Sequence, residues 1–188
     1  MLEQRVRLSG TGGQGLILAG QVLAEAAGLH ERKNVVQTQS YGPESRGGAC
    51  RAEVVISEEQ ILYPEVAEAD ILVCLSQQSY DRYAPQLGEN GILVYDPFFV
   101  KVSEKHFQCQ RSIPVQATEI ADQVGRRVTA NMVALGAVVA LSEVVKLGSL
   151  ESALRTKVPK GTEELNLNAF RAGVQAVRGV MSEREERS

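Results

Sequence analysis

A glycine-rich turn near the amino terminus is the sequence feature that most constrains the fold. Gly10, Gly12 and Gly15 follow Val6, Leu8 and their neighbours, which are predicted to form a short β-strand. After Gly15, apolar residues recur at helical spacing as far as Gly28. A strand, a tight glycine turn and a helix in this order predict that the chain opens as a β-turn-α unit of an α/β domain.

The rest of the chain continues this alternation of strand and helix patterns. Further strands are predicted at residues 35–38, 50–56, 69–75, 91–95 and 113–115, and helices at 77–87, 117–124, 132–146 and 162–180. The continuous apolar run at 69–75 is typical of a central parallel strand, whereas the alternation at 50–56 predicts a half-buried antiparallel strand at an edge. We therefore expect a three-layer, Rossmann-like α/β domain with a mostly parallel sheet and some antiparallel edge strands.

The length predicts one domain. With 188 residues, the chain exceeds the roughly 150 residues of a typical domain only slightly, and we place that domain at 1–181. Residues 182–188 are mostly charged and are predicted to form a solvated tail. Asn131 is predicted to cap a helix over 132–146 that is apolar nearly all round, and such a helix is buried in the core or under a partner.

Composition excludes several classes of protein. A net charge of −3 disfavours general nucleic-acid binding. The longest apolar stretch, 132–145, is shorter than the roughly 18 residues of a membrane-spanning helix, so no membrane segment is expected. The three cysteines, Cys50, Cys74 and Cys109, form no C-x-x-C pair, so no metal site is expected in this chain. Reduced thiols and the absence of a signal sequence predict a cytoplasmic protein.

The glycine turn is a candidate anion site. Glycines allow a negatively charged group to reach the N–H groups at the start of the following helix. The candidate cofactor-binding residues are Gly10, Thr11, Gly12, Gly13, Gln14 and Gly15. Gln14 either donates to a phosphate oxygen or faces solvent, and an alternative for the whole turn is that its glycines only let the strand and helix pack closely.

The sequence lacks the acidic residue that a nicotinamide cofactor site needs at the end of the second strand. An Asp or Glu at the end of the second strand binds the ribose hydroxyls in such sites. Here that strand ends in Gln39 and Ser40, and Glu31 precedes it as a predicted solvated loop charge. The turn is not a P-loop either, because no Gly-Lys-Ser/Thr follows.

A second block and several shorter segments together resemble a known family. The turn Gly-Thr-Gly-Gly-Gln-Gly at 10–15 is followed by Tyr-Gly-Pro-Glu-Ser-Arg-Gly-Gly at 41–48, Val-Val-Ile-Ser at 54–57, Ala-Asp-Ile-Leu-Val at 69–73 and Asn-Met-Val-Ala-Leu-Gly at 131–136. In this order, over about residues 5–150, the chain resembles the gamma subunit of the 2-oxoacid:ferredoxin or flavodoxin oxidoreductases, whose substrates include 2-oxoglutarate, pyruvate and ketoisovalerate.

The resemblance implies a role in a multi-subunit enzyme. Such enzymes oxidatively decarboxylate a 2-oxoacid with coenzyme A to give acyl-CoA, carbon dioxide and reduced ferredoxin. Thiamine diphosphate and iron–sulfur clusters are then held by partner subunits, alpha, beta and possibly delta, and ferredoxin or flavodoxin is an indirect partner. This chain would give structural support and part of the coenzyme A site, with no catalytic residue of its own and no activity alone. An isolated chain is expected to pair with itself.

The 41–48 block has two interpretations. Its glycines and proline are turn-formers, and Glu44 and Arg46 are either a solvated pair or part of a contact with another chain or a ligand. The resemblance favours the second interpretation. The candidate interface or ligand residues are Tyr41, Gly42, Pro43, Glu44, Arg46, Gly47, Gly48 and Asn131.

Two other functions fit parts of the sequence. A stand-alone oxidoreductase that binds a nicotinamide or flavin would bind NAD(H), NADP(H) or FAD as an isolated chain. A non-enzymatic interaction module would keep the fold and a partner without using the glycine turn for any turnover.

Overall fold

The computed structural model describes residues 3–40, 49–103 and 111–185, with the backbone alone for 179–185. Within these ranges the strands are β1 (Glu3–Thr11), β2 (Asn34–Ser40), β3 (Ala49–Ser57), β4 (Ala69–Cys74), β5 (Leu87–Tyr95) and β6 (Arg111–Pro114). The α-helices are α1 (Leu16–Glu25), α2 (Gln77–Tyr83), α3 (Ala117–Val124), α4 (Ala130–Ser142), α5 (Leu147–Lys157) and α6 (Glu163–Glu185). A π-helical turn, Ala26–His30, extends α1, and short 3-10 turns at Ala84–Gln86 and Arg127–Thr129 precede β5 and α4.

These strands form one mixed sheet in the order β2-β3-β1-β4-β5-β6. Strands β1, β4, β5 and β6 are parallel to one another, while β3 is antiparallel to both of its neighbours, β1 and β2. The predicted α/β class with a mostly parallel sheet is therefore confirmed. We call the end of the sheet where β1, β4, β5 and β6 terminate the carboxyl edge, and the opposite end the amino edge.

The two faces of the sheet are covered unequally. The main core packs α1, α3, α4, α5 and α6 against one face. A smaller cluster packs α2 and Val100 against the other. Helix α4 is central, with ten of its 13 residues buried, as its nearly all-round apolar sequence predicts. It crosses α6 at Gly136 and Gly173, where an added Cβ on either glycine would collide with the backbone of the other helix.

Strand β3 differs from its prediction. It was expected to be half-buried at an edge, but β2 pairs on its outer side, and Arg51 alone among its nine residues is not buried. The reason is a buried ion pair on the face that should have met solvent. The Arg7 guanidinium lies 2.6 Å from the Glu53 carboxylate and also donates to Gln86 Oε1 and the Val66 carbonyl. Opposite charges on paired strands thus allow a polar position to be buried.

Three boundaries in the carboxyl-terminal half also differ from the sequence prediction. Helix α4 begins at Ala130 after a cap at Thr129, so Asn131 lies in its first turn and is not the cap. The predicted helix end at Lys146 is too late, because α4 ends at Ser142 and a separate helix, α5, which the sequence did not predict, begins at Leu147. Helix α6 continues to Glu185, and the solvated tail at 182–188 stays a prediction.

Candidate functional site

The glycine turn joins β1 to α1 at the carboxyl edge. Strands β1 and β4 are neighbours in the sheet. The strands that follow β1 in the chain, β2 and β3, lie on one side of this pair, and the strand that follows β4, β5, lies on the other. In open α/β sheets, ligands bind in the crevice outside the carboxyl ends of the strands at such a change of direction. The fold therefore places the turn where a ligand site is expected.

The turn is held by the side chain of Gln14. Gln14 Oε1 accepts a hydrogen bond from Thr11 N at 2.7 Å, and its Nε2 donates to the Leu75 carbonyl just beyond β4 at 3.0 Å. A Cβ on Gly10 would collide with this side chain, so Gly10 leaves the space that Gln14 occupies. Donation from this side chain to a phosphate oxygen, one of the two roles considered from the sequence, stays a prediction. The Gln14 side chain ties the turn to the end of β4.

Asn131 holds the other end of the turn. Its Nδ2 donates to the Gly15 carbonyl at 2.8 Å, across a sequence separation of 116 residues. Its Oδ1 accepts from Met132 N at 2.9 Å. Gly15 has a left-handed backbone with φ 70, and a Cβ there would lie 2.5 Å from Asn131 Nδ2. Both the backbone angle and the lack of space explain why this position is glycine.

The first amides of α1 receive no side-chain cap. Gly15 is the capping position and has no side chain, and the first turn contains no acidic residue. The first intrahelical bond runs from Ala19 N to the Gly15 carbonyl, so the N–H groups of residues 16–18 have no partner within the helix. Gly12 and Gly13 beside them are exposed. A Cβ on either would meet no atom within 4 Å.

The other two helices that follow parallel strands are capped by the protein. Ser76 Oγ accepts from Ser79 N at 3.2 Å at the start of α2. At the start of α3, the buried Asp96 carboxylate accepts from Thr118 N at 2.8 Å and from Thr118 Oγ1 at 2.5 Å. The sequence analysis assigned no role to Asp96, which follows the strand predicted at 91–95. An acidic residue at the carboxyl end of a parallel strand was the signal of its role.

The 41–48 block, with Tyr41, Gly42, Pro43, Glu44, Arg46, Gly47 and Gly48, lies outside the described residues. Its two neighbours, Ser40 and Ala49, are both at the carboxyl edge, and Ala49 pairs directly with Thr11 of the glycine turn. The topology thus brings the residues that flank the second motif to the edge where the first motif lies. Sequence spacing alone did not establish this proximity.

Glu31 is not the solvated charge expected from the sequence. Its side chain is 8% exposed, pairs with Lys33 at 2.9 Å and accepts from Lys146 N at 2.6 Å. Burial raises the pKa of this carboxyl, but the bonds from Lys146 and Lys33 lower it more, so its pKa lies below the usual value. Glu31 precedes β2 at the amino edge, where it cannot serve the ribose of a ligand at the glycine turn.

Two of the cysteines are buried and free. Cys74 is fully buried in β4, as expected of a small apolar residue, and burial raises the pKa of its thiol to about 12. Burial also raises the pKa of Cys50.

In the parts of the chain that the structure describes, no three His, Cys, Asp or Glu residues could share a metal ion. Over the same parts, no helix is long and apolar enough to span a membrane.

Comparisons with known proteins agree on one family. The family model for pyruvate ferredoxin/flavodoxin oxidoreductase matches residues 5–176. The chain is 46% identical over 178 residues to the 2-oxoglutarate synthase subunit KorC of Methanocaldococcus jannaschii. The aligned region covers 94% of this chain and 95% of that protein.

Solved structures share the fold. The gamma subunit of a keto/oxoacid ferredoxin oxidoreductase from Geobacter sulfurreducens matches with a TM-score of 0.86 and 39% identity, over 95% of this chain and 98% of the other. The 2-oxoglutarate:ferredoxin oxidoreductase from Magnetococcus marinus, solved with 2-oxoglutarate, coenzyme A and succinyl-CoA bound, matches with a TM-score of 0.82 at 21% identity, over 95% of this chain and 32% of that one. The chain belongs to the pyruvate ferredoxin/flavodoxin oxidoreductase family and is homologous to the gamma subunits of 2-oxoacid:ferredoxin oxidoreductases.

Proposed function

We propose that this chain is the gamma subunit of a complex that oxidatively decarboxylates 2-oxoglutarate with coenzyme A, and that its glycine turn binds the diphosphate of coenzyme A. The products are succinyl-CoA, carbon dioxide and reduced ferredoxin. The choice of 2-oxoglutarate follows the 46% identity to KorC. The partners are alpha, beta and possibly delta subunits, which hold thiamine diphosphate and the iron–sulfur clusters. Ferredoxin or flavodoxin contacts the complex through them, and the cytoplasmic location stays a prediction.

The open amino terminus of α1 is the observation that carries the proposal. Three described helices follow parallel strands. At α2 and α3 a side chain accepts from a first-turn amide, whereas at α1 no described side chain does so. The N–H groups at a helix start attract anions, because they combine free donors with the positive end of the helix dipole. A diphosphate group fits this chemistry.

Each residue of the turn has a defined part in the proposed site. Gly12 and Gly13 leave the space beside the helix start free of side chains, and Gly15 supplies the left-handed bend into α1. Thr11 and Gln14 shape the turn through the bond from Thr11 N to Gln14 Oε1, and Gly10 leaves room for the Gln14 side chain. Asn131 keeps the Gly15 carbonyl turned away from the anion by bonding to it. In this proposal the chain binds and orients coenzyme A, while the reacting thiol meets the acyl group on a companion subunit.

We further propose that the 41–48 block contributes to the same edge. Arg46 carries a planar guanidinium that suits a carboxylate or phosphate at the subunit boundary, and Tyr41 and Glu44 lie in the same block. In the assembled complex, Arg46→Ala is expected to reduce assembly or turnover. Full complex yield with full activity would refute this part of the proposal.

Steady-state kinetics of the assembled complex test the function. Gly12→Val places a side chain in open space beside the amides, so we expect normal folding and a KM for coenzyme A raised by about tenfold or more, as expected from the loss of one charge-assisted hydrogen bond. The KM for 2-oxoglutarate should not change. Gly148→Val, at another glycine with open space around its Cβ, is the matched control. An unchanged KM for coenzyme A in Gly12→Val would refute the proposed site.

A further inference from the structure

An exposed aromatic pair stands at the carboxyl edge, directly after β5. The side chains of Phe98 and Phe99 are 65% and 41% exposed, and their rings meet edge to face with centroids 4.8 Å apart. The Arg127 guanidinium lies 5.7 Å from the centre of the Phe98 ring, and Val128 beside it is also exposed. We call Phe98, Phe99, Arg127 and Val128 the aromatic patch.

Asp96 fixes the backbone turn that carries the two rings. Asp96 is buried, and its Oδ1 accepts from Phe98 N at 3.0 Å. Its carbonyl accepts from Phe99 N at 3.1 Å and from Val100 N at 2.9 Å, and the Val100 side chain is buried in the smaller core cluster. The backbone is thus fixed with both phenylalanines pointing outward, which lowers the entropic cost of binding a partner.

The chemistry of the patch is that of a protein interface. Aromatic residues and arginine are enriched at the centres of interfaces, where a few of them supply most of the binding energy. Arg127 is paired with Asp122, at 2.6 Å from Nη2 to Oδ2, whereas the neighbouring Arg126 is exposed and has no ion-pair partner among the described residues. Arg126 therefore leaves an exposed positive charge beside the patch, which complements a carboxylate at the rim of an apolar pocket.

The position of the patch indicates which partner covers it. The glycine turn and the patch both adjoin the start of α4, because Asn131 bonds to Gly15 and Arg127, four residues earlier, contacts Phe98. If coenzyme A is held at this edge, as the proposed function requires, its thiol crosses from here to the acyl group on a companion subunit. We propose that the aromatic patch is the docking surface for the companion subunit that binds the 2-oxoacid and thiamine diphosphate, an inference that rests on the proposed function.

A second exposed apolar pair supplies a matched control. Leu62 and Tyr63 are 71% and 74% exposed and lie in the segment between β3 and β4, both ends of which are at the amino edge. The double variant Phe98→Ser with Phe99→Ser is compared with Leu62→Ser with Tyr63→Ser. Affinity of each full chain for the purified companion subunits is measured by sedimentation, and thermal unfolding checks the fold.

We expect the phenylalanine variant to bind the companion subunits at least about 30-fold more weakly, the factor typical of losing an interface hot spot, while the control binds as the wild type does. Arg126→Glu should weaken binding by a smaller factor, and this loss should shrink at high salt. Equal affinity of the two double variants would overturn the proposal. So would a fully assembled phenylalanine variant in which only the KM for coenzyme A or only self-association has changed.

The failure of this proposal is distinguishable from the failure of the proposed function. If Gly12→Val raises the KM for coenzyme A but the phenylalanine variant assembles normally, the coenzyme A site stands and the docking surface is wrong. If the phenylalanine variant fails to assemble while Gly12→Val leaves coenzyme A kinetics unchanged, the docking surface stands and the proposed ligand of the glycine turn is wrong.

Discussion

Helices α1 and α3 both begin at the carboxyl edge after a parallel strand, but their first amides meet different groups. At α3 the protein supplies its own anion, the buried carboxylate of Asp96, which lies 2.8 Å from Thr118 N. At α1 the capping position is glycine, and among the described residues no side chain accepts from the first amides. A carboxylate of the protein satisfies the amides at a helix start and stabilises the fold. Where no such group is present, the amides and the positive end of the helix dipole stay available to an anionic ligand.

The largest effect on stability is expected at the start of α3, where the Asp96 carboxylate accepts from a first-turn amide. Asp96→Ala removes a buried carboxylate and leaves Thr118 N, Thr118 Oγ1 and Phe98 N without their acceptor. We expect the free energy of unfolding to fall by about 3 kcal/mol, measured by urea denaturation. Asp122→Ala, which removes an exposed carboxylate, should change it far less. Equal changes in the two variants would contradict the role of Asp96.

The next largest effect is expected at Gly15, where the open helix start is shaped. Gly15→Ala puts a Cβ on a left-handed backbone and 2.5 Å from Asn131 Nδ2. The expected loss is about 2 kcal/mol of unfolding free energy. Gly148→Ala, with nothing within 4 Å of its Cβ, should instead be neutral or slightly stabilising. If both variants unfolded at the same urea concentration as the wild type, the Gly15–Asn131 contact would not constrain the turn.

Asn131 allows stability to be separated from ligand binding. Asn131→Ala removes the 2.8 Å bond to the Gly15 carbonyl and should cost about 1 kcal/mol of stability. Asn166→Ala removes a bond of the same length and type, to the Thr162 carbonyl within α6, and is the control. Titration calorimetry on the assembled complex should show weaker coenzyme A binding for Asn131→Ala alone. An equal loss of affinity in both variants would mean that Asn131 acts only through stability.

The smallest effect on stability is expected at Gly12. A Cβ there meets no atom within 4 Å, and its φ is not in the left-handed range, so Gly12→Val should change the unfolding free energy by less than about 0.5 kcal/mol. Gly13→Val, at φ 90, should cost more because its backbone is strained for any residue with a side chain. Urea denaturation of both variants checks the difference, and a strongly destabilised Gly12→Val would show that its side chain is not directed into open space.

Local sequence patterns were sufficient for most of the fold. The glycine turn predicted the β1–α1 unit, and the apolar run at 69–75 predicted β4 as a central parallel strand, because these features depend on neighbouring residues. The burial of β3 was not predictable in this way. It depends on Arg7, 46 residues from Glu53, which neutralises a charge that the alternation pattern assigned to solvent.

The arrangement of the candidate site was predictable only in part. The turn could be predicted from its own glycines. The hydrogen-bond partners of Gln14 and Asn131 could not, because each side chain bonds to a backbone group more than 60 residues away. Amide side chains have no periodic signal, and their roles depend on which strands become neighbours. Asp96 was missed for the same reason, since its partner Thr118 is 22 residues along the chain and across a helix start.

A structure of the assembled complex with coenzyme A bound would show whether the open start of α1 holds the diphosphate. We expect diphosphate oxygens within about 2.7–3.2 Å of backbone nitrogens at the start of α1, with the Asp96 carboxylate still accepting from Thr118 N. Coenzyme A held entirely by other subunits, with the amides of residues 16–18 open to water, would contradict this expectation.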